Sequence, residues 1–340
     1  MKQLADIGER AAIRRIQALL TKGKQTRGIG DDCAAIDLGN TYLLVTTDMI
    51  SQQTHIPPQM TPYQMGWFLV AINLSDIAAK GGTPLGVLCS YGLPKETSTM
   101  FLTQLAKGAN ACAVRFGTTV VGGDTKETTE ITLCGTAFGT VDKDEFLSRD
   151  GARPGDVVAV TGRLGNAGAG YYALQRSPRE KKYSKALLEP HPRLTAGRLL
   201  AQLHSVTSCM DLSDGLSASL YQLQERNTVG FEIDKDALPL ASGLPQLHTT
   251  LGIDPYSVAL HFGGDYELLV TLPPKRVEKT KKTLQQHGIL FTSIGRVTQK
   301  KKILLREKTR KKILSNKGYE HFKTHNFSHH KQVRAVQQRF

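Results

Sequence analysis

The stretch Thr61-Pro62, continuing through Asn73-Leu74-Ser75-Asp76-Ile77-Ala78-Ala79-Lys80 to Gly81-Gly82, decides how the chain is read. Thr61 and Pro62 suit an N-cap and a first helical position, and the glycine pair suits a stop, so the spacing predicts one long helix. The intervening sequence is mostly apolar, which predicts burial. Asn73 and Asp76 are three apart and share a face. A buried carboxylate requires a partner or a cation. Two partners stand open for Asp76: Lys80 at i,i+4, or a metal ion.

On the N-terminal side, Thr41 to Thr47 reads as a buried strand that delivers Asp48 at its end. A glycine-rich turn carrying Asp31 and Asp32 precedes it. Before that turn, Ile13, Ile16, Leu19 and Leu20 stand at helical spacing and predict a short amphipathic helix. On the C-terminal side a helix is expected from Ser98 to Arg115, then a strand from Thr118 to Val121 ending in Gly122-Gly123-Asp124, then a strand from Glu130 to Phe138. The turn-rich run Ser148 to Asp156 marks a domain boundary. We therefore expect a first domain over 1–148, a second over 149–324, and a basic, disordered tail over 325–340.

The second half opens with a strand from Val157 to Thr161 and a loose series, Gly162, Gly165, Gly168 and Gly170, which reads as a plain strand–turn–helix connection. Thr207 to Met210 should be a strand, with Ser213 capping a helix that begins at Asp214. Strand–helix alternation continues through Tyr266 to Val270, a Lys-rich helix around 275 to 287, and Ile289 to Val297. Two α/β halves result.

Aspartates recur beside glycines and hydroxyls: Asp31-Asp32, Thr46-Thr47-Asp48, Asp76, Gly122-Gly123-Asp124, and Asp211-Leu212-Ser213-Asp214. Such carboxylates are hard-oxygen ligands of the kind Mg²⁺ uses together with substrate phosphates. Gly122 and Gly123 leave room for backbone N–H groups to approach a phosphate. Phosphoryl transfer needs charge neutralisation and alignment more than covalent help, and a phosphate acceptor needs no general base. His55 lies in a Pro-flanked loop where it either meets substrate or is merely exposed. Neither G-x-x-x-x-G-K-[ST] nor a kinase-type glycine loop is present, which disfavours the familiar ATP folds.

The net charge of +14 favours anionic partners. Its excess is concentrated between Lys300 and Lys312 and in the tail, without the aromatic-interleaved pattern of a nucleic-acid module, so no nucleic acid is expected as partner. Five scattered cysteines without a C-x-x-C fit reduced thiols. With no apolar signal core and no membrane-length apolar run, the expectation is a cytoplasmic protein with no membrane association.

Taken in order, Gly28-Ile29-Gly30-Asp31-Asp32-Cys33-Ala34, Thr46-Thr47-Asp48, Asn73 to Ala79, Val121-Gly122-Gly123-Asp124-Thr125, Ser148 to Asp156, Asp211 to Leu216, Asp265-Tyr266-Glu267-Leu268 and Lys317 to Phe322 resemble the thiamine-monophosphate kinase family. Its superfamily includes aminoimidazole ribonucleotide synthetase, selenophosphate synthetase and the hydrogenase-maturation carbamoyl dehydratase. The resemblance implies a two-domain α/β (α+β) fold whose N-terminal sheet domains pair in a homodimer. It also implies ATP-dependent in-line phosphorylation of thiamine monophosphate to thiamine diphosphate in the cleft between the halves.

By family role, Asp32, Thr46, Thr47, Asp48, Asp76, Asp124, Asp211 and Asp214 would hold several Mg²⁺ ions, with Asp48 and Asp124 most critical. Gly123, Asp124, Arg149 and Ser213 would meet ATP, and His55 and Tyr319 the thiamine moiety. The chain departs from the family at Gly263-Gly264-Asp265-Tyr266, which lacks an acidic residue before Asp265. Either Asp265 substitutes as the substrate contact or Gly264 fills that position. Two alternatives remain: a superfamily enzyme acting on a different acceptor, and a non-catalytic basic nucleic-acid-binding protein.

Overall fold

The structure, a computed structural model, describes residues 2–323 apart from 22, 24, 25 and 177–180. The expected tail over 325–340 lies outside the described residues. The N-terminal half contains α1 (Leu4–Leu19), β1 (Thr26–Arg27), β2 (Ala34–Asp37), β3 (Thr41–Ser51), α2 (Pro62–Ala79), β4 (Thr83–Leu93), α3 (Thr99–Arg115), β5 (Val120–Glu127) and β6 (Thr132–Asp142). Its sheet has the order β1-β2-β3-β6-β4-β5. All neighbours are antiparallel except the parallel edge pair β4 and β5.

The C-terminal half follows with β7 (Val157–Thr161), α4 (Asn166–Arg176), α5 (Lys181–Leu188), α6 (Leu194–Gln202), β8 (Ser208–Asp211), α7 (Leu216–Arg226) and β9 (Gly230–Asp234). It continues through α8 (Leu244–Leu251), α9 (Pro255–His261), β10 (Leu268–Leu272), α10 (Val277–Gln286), β11 (Phe291–Thr298), β12 (Ile303–Glu307) and β13 (Arg310–Ile313). This sheet runs β13-β12-β9-β11-β7-β10-β8, so β8, which carries Asp211, is an edge strand. The expected two α/β halves are present. Among the described residues no helix is long and apolar enough to cross a membrane.

α2 is the predicted central helix. Thr61 Oγ1 accepts from Gln64 N and Gln64 Oε1 accepts from Thr61 N, a reciprocal cap that closes its first turn. Leu69, Leu74 and Ile77 are fully buried, each contributing on the order of 1.5–3 kcal/mol. α3 crosses it at backbone distance: a Cβ on Gly66 would stand 2.0 Å from Leu105 O, and one on Gly108 1.8 Å from Tyr63 O. Because α2 lies between its own sheet and the second half, its apolar surface has no solvent side. Ala79 and Leu147 pack with Leu200, Cys209 and Leu268, so a common core joins the halves.

Three expectations about elements change. α1 docks through charged residues, Arg10 and Arg14 facing Glu225 and Glu9 Oε2 accepting from His321 N, and it leaves Ile13, Ile16 and Leu19 exposed. The predicted apolar stripe therefore does not bury within one chain. β3 runs past Asp48 to Ser51 and β5 runs through Gly122-Gly123-Asp124 to Glu127, so neither aspartate lies at a strand end. The helix expected at Asp214 begins at Leu216 after Gly215, with no side-chain cap, so Ser213 caps nothing.

The basic segment is a β12–β13 hairpin whose charges are laddered against acids. Arg306 meets Asp234 at 2.5 Å, Lys311 meets Glu232 at 2.9 Å, and Lys235 meets Glu307 at 2.6 Å. Arg306, Lys311 and Lys312, paired with acids on a solvent-facing hairpin, form a solvated charged face.

Candidate active site

The Gly30 loop brings two carboxylates under the end of α2. Asp31 accepts from Lys80 Nζ, from Ser148 Oγ at 3.2 Å and from Arg149 N at 3.1 Å. Asp32 accepts from Arg149 Nε at 3.0 Å and from Arg149 Nη2, with Lys80 Nζ 2.7 Å from its Oδ2. Burial alone would push Asp32 upward, but Arg149 and Lys80 together outweigh it and hold the carboxyl at about 2. The two open partners of Asp76 are thereby separated. Lys80 sits at the C-cap of α2 and turns to the Gly30 loop, while Asp76 accepts from Thr46 Oγ1 at 2.5 Å.

Alternation along β3 sorts the neighbouring candidates. Thr46 and Asp48 face α2: Asp48 N donates to Asn73 Oδ1 at 3.2 Å, and Asn73 Nδ2 donates to Leu69 O at 2.9 Å. Thr47 points the other way, its hydroxyl donating to Gly135 O at 2.9 Å. From the second half, Asp211 accepts from Ser75 Oγ at 2.7 Å, and Asp214 accepts from Gln222 Nε2 at 2.9 Å with Arg10 3.8 Å away. Oxygens of Asp32, Asp76 and Asp211 lie within 4.8 Å of one another.

These carboxylates repel one another in a desolvated cleft. Burial, then Asp214 and Asp32, pushes Asp48 up to about 6. Burial followed by Asp32 carries Asp211 to about 7, and burial with Asp48, Asp211 and Asp32 drives Asp76 well above the carboxylate range. Asp214 is also raised, mainly by burial. Within the cluster the buried Asp32 Oδ2, despite its ion-pair distance to Lys80, accepts no properly directed hydrogen bond. An orphaned carboxylate oxygen inside an all-oxygen cluster of surplus negative charge fits a hard divalent cation such as Mg²⁺.

Other candidates lie elsewhere. Asp124 is in register with Ser90, Cys134 and Met49, three strand spacings of about 4.8 Å from β3, and on the sheet face opposite Asp48. Its nearest cation is Lys126 at 3.9 Å, and its side chain is 61% exposed. One chain therefore does not bring Asp124 to the cluster. Gly123 has a packing reason to be glycine, because a Cβ there would stand 1.7 Å from Cys89 O. Ser213 adjoins Asp214, and its carbonyl accepts from Gly264 N at 2.7 Å.

His55 and Tyr319 approach each other from the two halves through His321. Ring centroids are 5.3 Å apart for His55–His321 and 4.8 Å for Tyr319–His321. Burial, then His321, lowers His55 to about 4, so its ring is neutral at pH 7. Asp265 is engaged differently from expectation. Its carboxylate accepts from Gly165 N at 2.6 Å and Ala167 N at 3.0 Å, closing the start of α4. Glu267, also inward, is held by Arg193 at 2.5 Å and Thr161 Oγ1 at 2.7 Å. Each Asp265 oxygen thus holds one backbone amide, while the residue also lines a cavity with Trp67, Arg115, His191 and Glu267.

Reading the residues missed the cation partners and supports: Lys80 for Asp31 and Asp32, Ser75 for Asp211, Gln222 and Arg10 for Asp214, and His321 between His55 and Tyr319. A lysine ending an apolar helix is a visible signal for the first. The others join residues far apart in sequence and leave no local trace.

Two α/β halves that share a carboxylate cleft define a class. Residues 30–141 match AIR synthase related protein, N-terminal domain, and residues 153–307 match AIR synthase related protein, C-terminal domain. Thiamine-monophosphate kinase of Methanospirillum hungatei JF-1 is 35% identical over 291 residues, spanning 86% of this chain and 92% of its own length. That of Aquifex aeolicus is 31% identical over 324 residues, spanning 94% and 100%. A solved structure of AaThiL complexed with AMPPCP and TMP superposes with a TM-score of 0.84 at 30% identity, covering 94% of this chain and 99% of that one. The chain belongs to the thiamine-monophosphate kinase family.

Proposed function

We propose that this chain transfers the γ-phosphoryl group of ATP to thiamine monophosphate, forming thiamine diphosphate, with Mg²⁺ bound at the cleft. The observation that carries this reading is the set of desolvated carboxylates drawn from both halves, Asp32, Asp48, Asp76, Asp211 and Asp214, in a chain similar over 94% of its length to a protein solved with AMPPCP and TMP. These residues would hold the metal, with the Thr46 hydroxyl fixing the Asp76 carboxylate. When bound, Mg²⁺ neutralises the phosphates and aligns donor with acceptor. The acceptor phosphate is anionic at neutral pH, so the chain has no proton to remove from it. Its task is to hold two anions in line.

Arg149 orients Asp32 and, through Nη1 on Gln222 Oε1 at 2.9 Å, the residue that holds Asp214. Its guanidinium has five N–H donors, more than these contacts use, so it can meet an ATP phosphate while holding them. Ser213 lies beside Asp214 for the same ligand. His55 and Tyr319, joined by His321, supply an aromatic wall for the thiamine moiety. We assign the division between domains to Ser148 and Arg149.

We further infer a homodimer across the N-terminal sheets. The face opposite α2 exposes Met49, Leu85, Leu88 and Val121, an apolar patch of the kind that marks an interface. The same face carries Thr47 and Asp124, so pairing would turn Asp124 toward the partner chain. Five free cysteines, four of them buried, support a reducing, cytoplasmic setting.

The test is to incubate the protein with Mg-ATP and either thiamine monophosphate or free thiamine and follow thiamine diphosphate by chromatography. Diphosphate from the monophosphate alone is the expected result. No diphosphate, with ATP binding intact, would reject this acceptor and favour another within the superfamily.

A further inference from the structure

Among the described residues Lys80 is one of the largest fully buried side chains, and its ammonium stands inside the carboxylate site. Asp31 and Asp32, both at ion-pair distance from Nζ, compensate its buried charge. Three oxygens surround Nζ: Asp31 Oδ1, Asp32 Oδ2 at 2.7 Å, and the Cys209 carbonyl at 3.2 Å. These come from the Gly30 loop and from β8, while Lys80 itself ends α2, where the helix dipole favours a cation. The ammonium therefore donates to Asp31 Oδ1 and to the Cys209 carbonyl, one from each side of the cleft, with Asp32 Oδ2 at ion-pair distance beside it.

The charges divide into two groups. Asp31 and Asp32 are matched by Lys80 and Arg149. Among the described residues Asp48, Asp76 and Asp211 form no ion pair, and Asp214 has only Arg10, at 3.8 Å. The close cation pairs of the site are thus gathered on Asp31 and Asp32.

We propose that Lys80 is a built-in cation that takes the place of a divalent ion between Asp31 and Asp32, so that metal loads this site only on its Asp48, Asp76 and Asp211 side. Asp32 then meets metal only where it neighbours Asp76 and Asp211, and Asp31 is a partner of Lys80, not a ligand. The inference deepens the proposed function and rests on the cluster being a divalent-cation site.

The test counts Mn²⁺ bound per chain by electron paramagnetic resonance titration, without substrates, in the wild type, Lys80→Met and Asp31→Asn. Lys80→Met keeps an unbranched side chain and removes the charge, exposing an acceptor pair. It should bind one more Mn²⁺ per chain than the wild type. Its melting temperature in EDTA, lower by roughly 10 °C for a broken buried pair, should recover more on Mn²⁺ addition than the wild type gains. An unchanged count in folded Lys80→Met overturns the proposal. If Lys80→Met does not fold, Asp31→Asn decides: an unchanged Mn²⁺ count supports the proposal, and loss of one Mn²⁺ overturns it by making Asp31 a ligand. A wild type that binds no Mn²⁺ would overturn the metal-site reading as well, whereas failure confined to the variants overturns only the role of Lys80.

Discussion

Asp76 shows how one partner sets the electrostatics of a whole site. At i,i+4 from Lys80 it has the spacing of a helix-surface ion pair, but the lysine ends the helix and turns away, leaving the carboxylate among Asp48, Asp211 and Asp32. Its negative charge is then a burden on the metal-free fold, since a group whose carboxyl is raised on folding favours the native state less once it is ionised. Asp76→Asn should therefore melt no lower than the wild type in EDTA while losing turnover by about a hundredfold or more, as read by calorimetry and by product formation. A variant that melts lower and keeps its activity would make Asp76 a structural residue. For Thr47 the sequence carried a signal that went unused: with period two along a strand, Thr46 and Asp48 share a face and Thr47 cannot.

At the scale of elements, helix limits marked by caps were legible and strand limits marked by glycines were not. The Thr61 cap and the Gly81-Gly82 stop bound α2 as read. Gly122-Gly123 looked like a turn, yet the strand continues because Gly123 is needed where its backbone meets Cys89 O. Asp265 belongs to this scale too, since it closes the start of α4 by accepting from two backbone N–H groups. Asp265→Ala should lower stability by about 1–2 kcal/mol, measured by urea unfolding, with KM for thiamine monophosphate unchanged. A raised KM without loss of stability would return Asp265 to the substrate.

At the scale of the molecule, the halves form one unit because α2, α1 and the Gly30 loop all belong to the first half yet pack or pair with the second. Asp32 and Asp211 become neighbours only through that packing. The sheet face opposite α2 is unpartnered in a single chain. Met49→Glu combined with Leu88→Glu places charge on that face, where a dimer would have to desolvate it. The variant should sediment as a monomer and fall at least roughly tenfold in activity if the partner completes the nucleotide site. A wild type that is monomeric at micromolar concentration, or a fully active monomeric variant, would reject the interface.

The sequence by itself determined the parts: the buried helix, the two α/β halves, and the aspartates with hydroxyl and glycine neighbours, because periodicity, capping and hard-oxygen chemistry are local properties. Which of those aspartates meet was decided only by tertiary structure. Strand alternation sends Thr47 and Asp124 to one face and Thr46 and Asp48 to the other, and packing of the halves brings Asp211 and Asp214 across to Asp76. The engagement of Lys80 with Asp31 and Asp32, and of Asp265 with α4, likewise depends on contacts across long sequence separations, which no local pattern encodes.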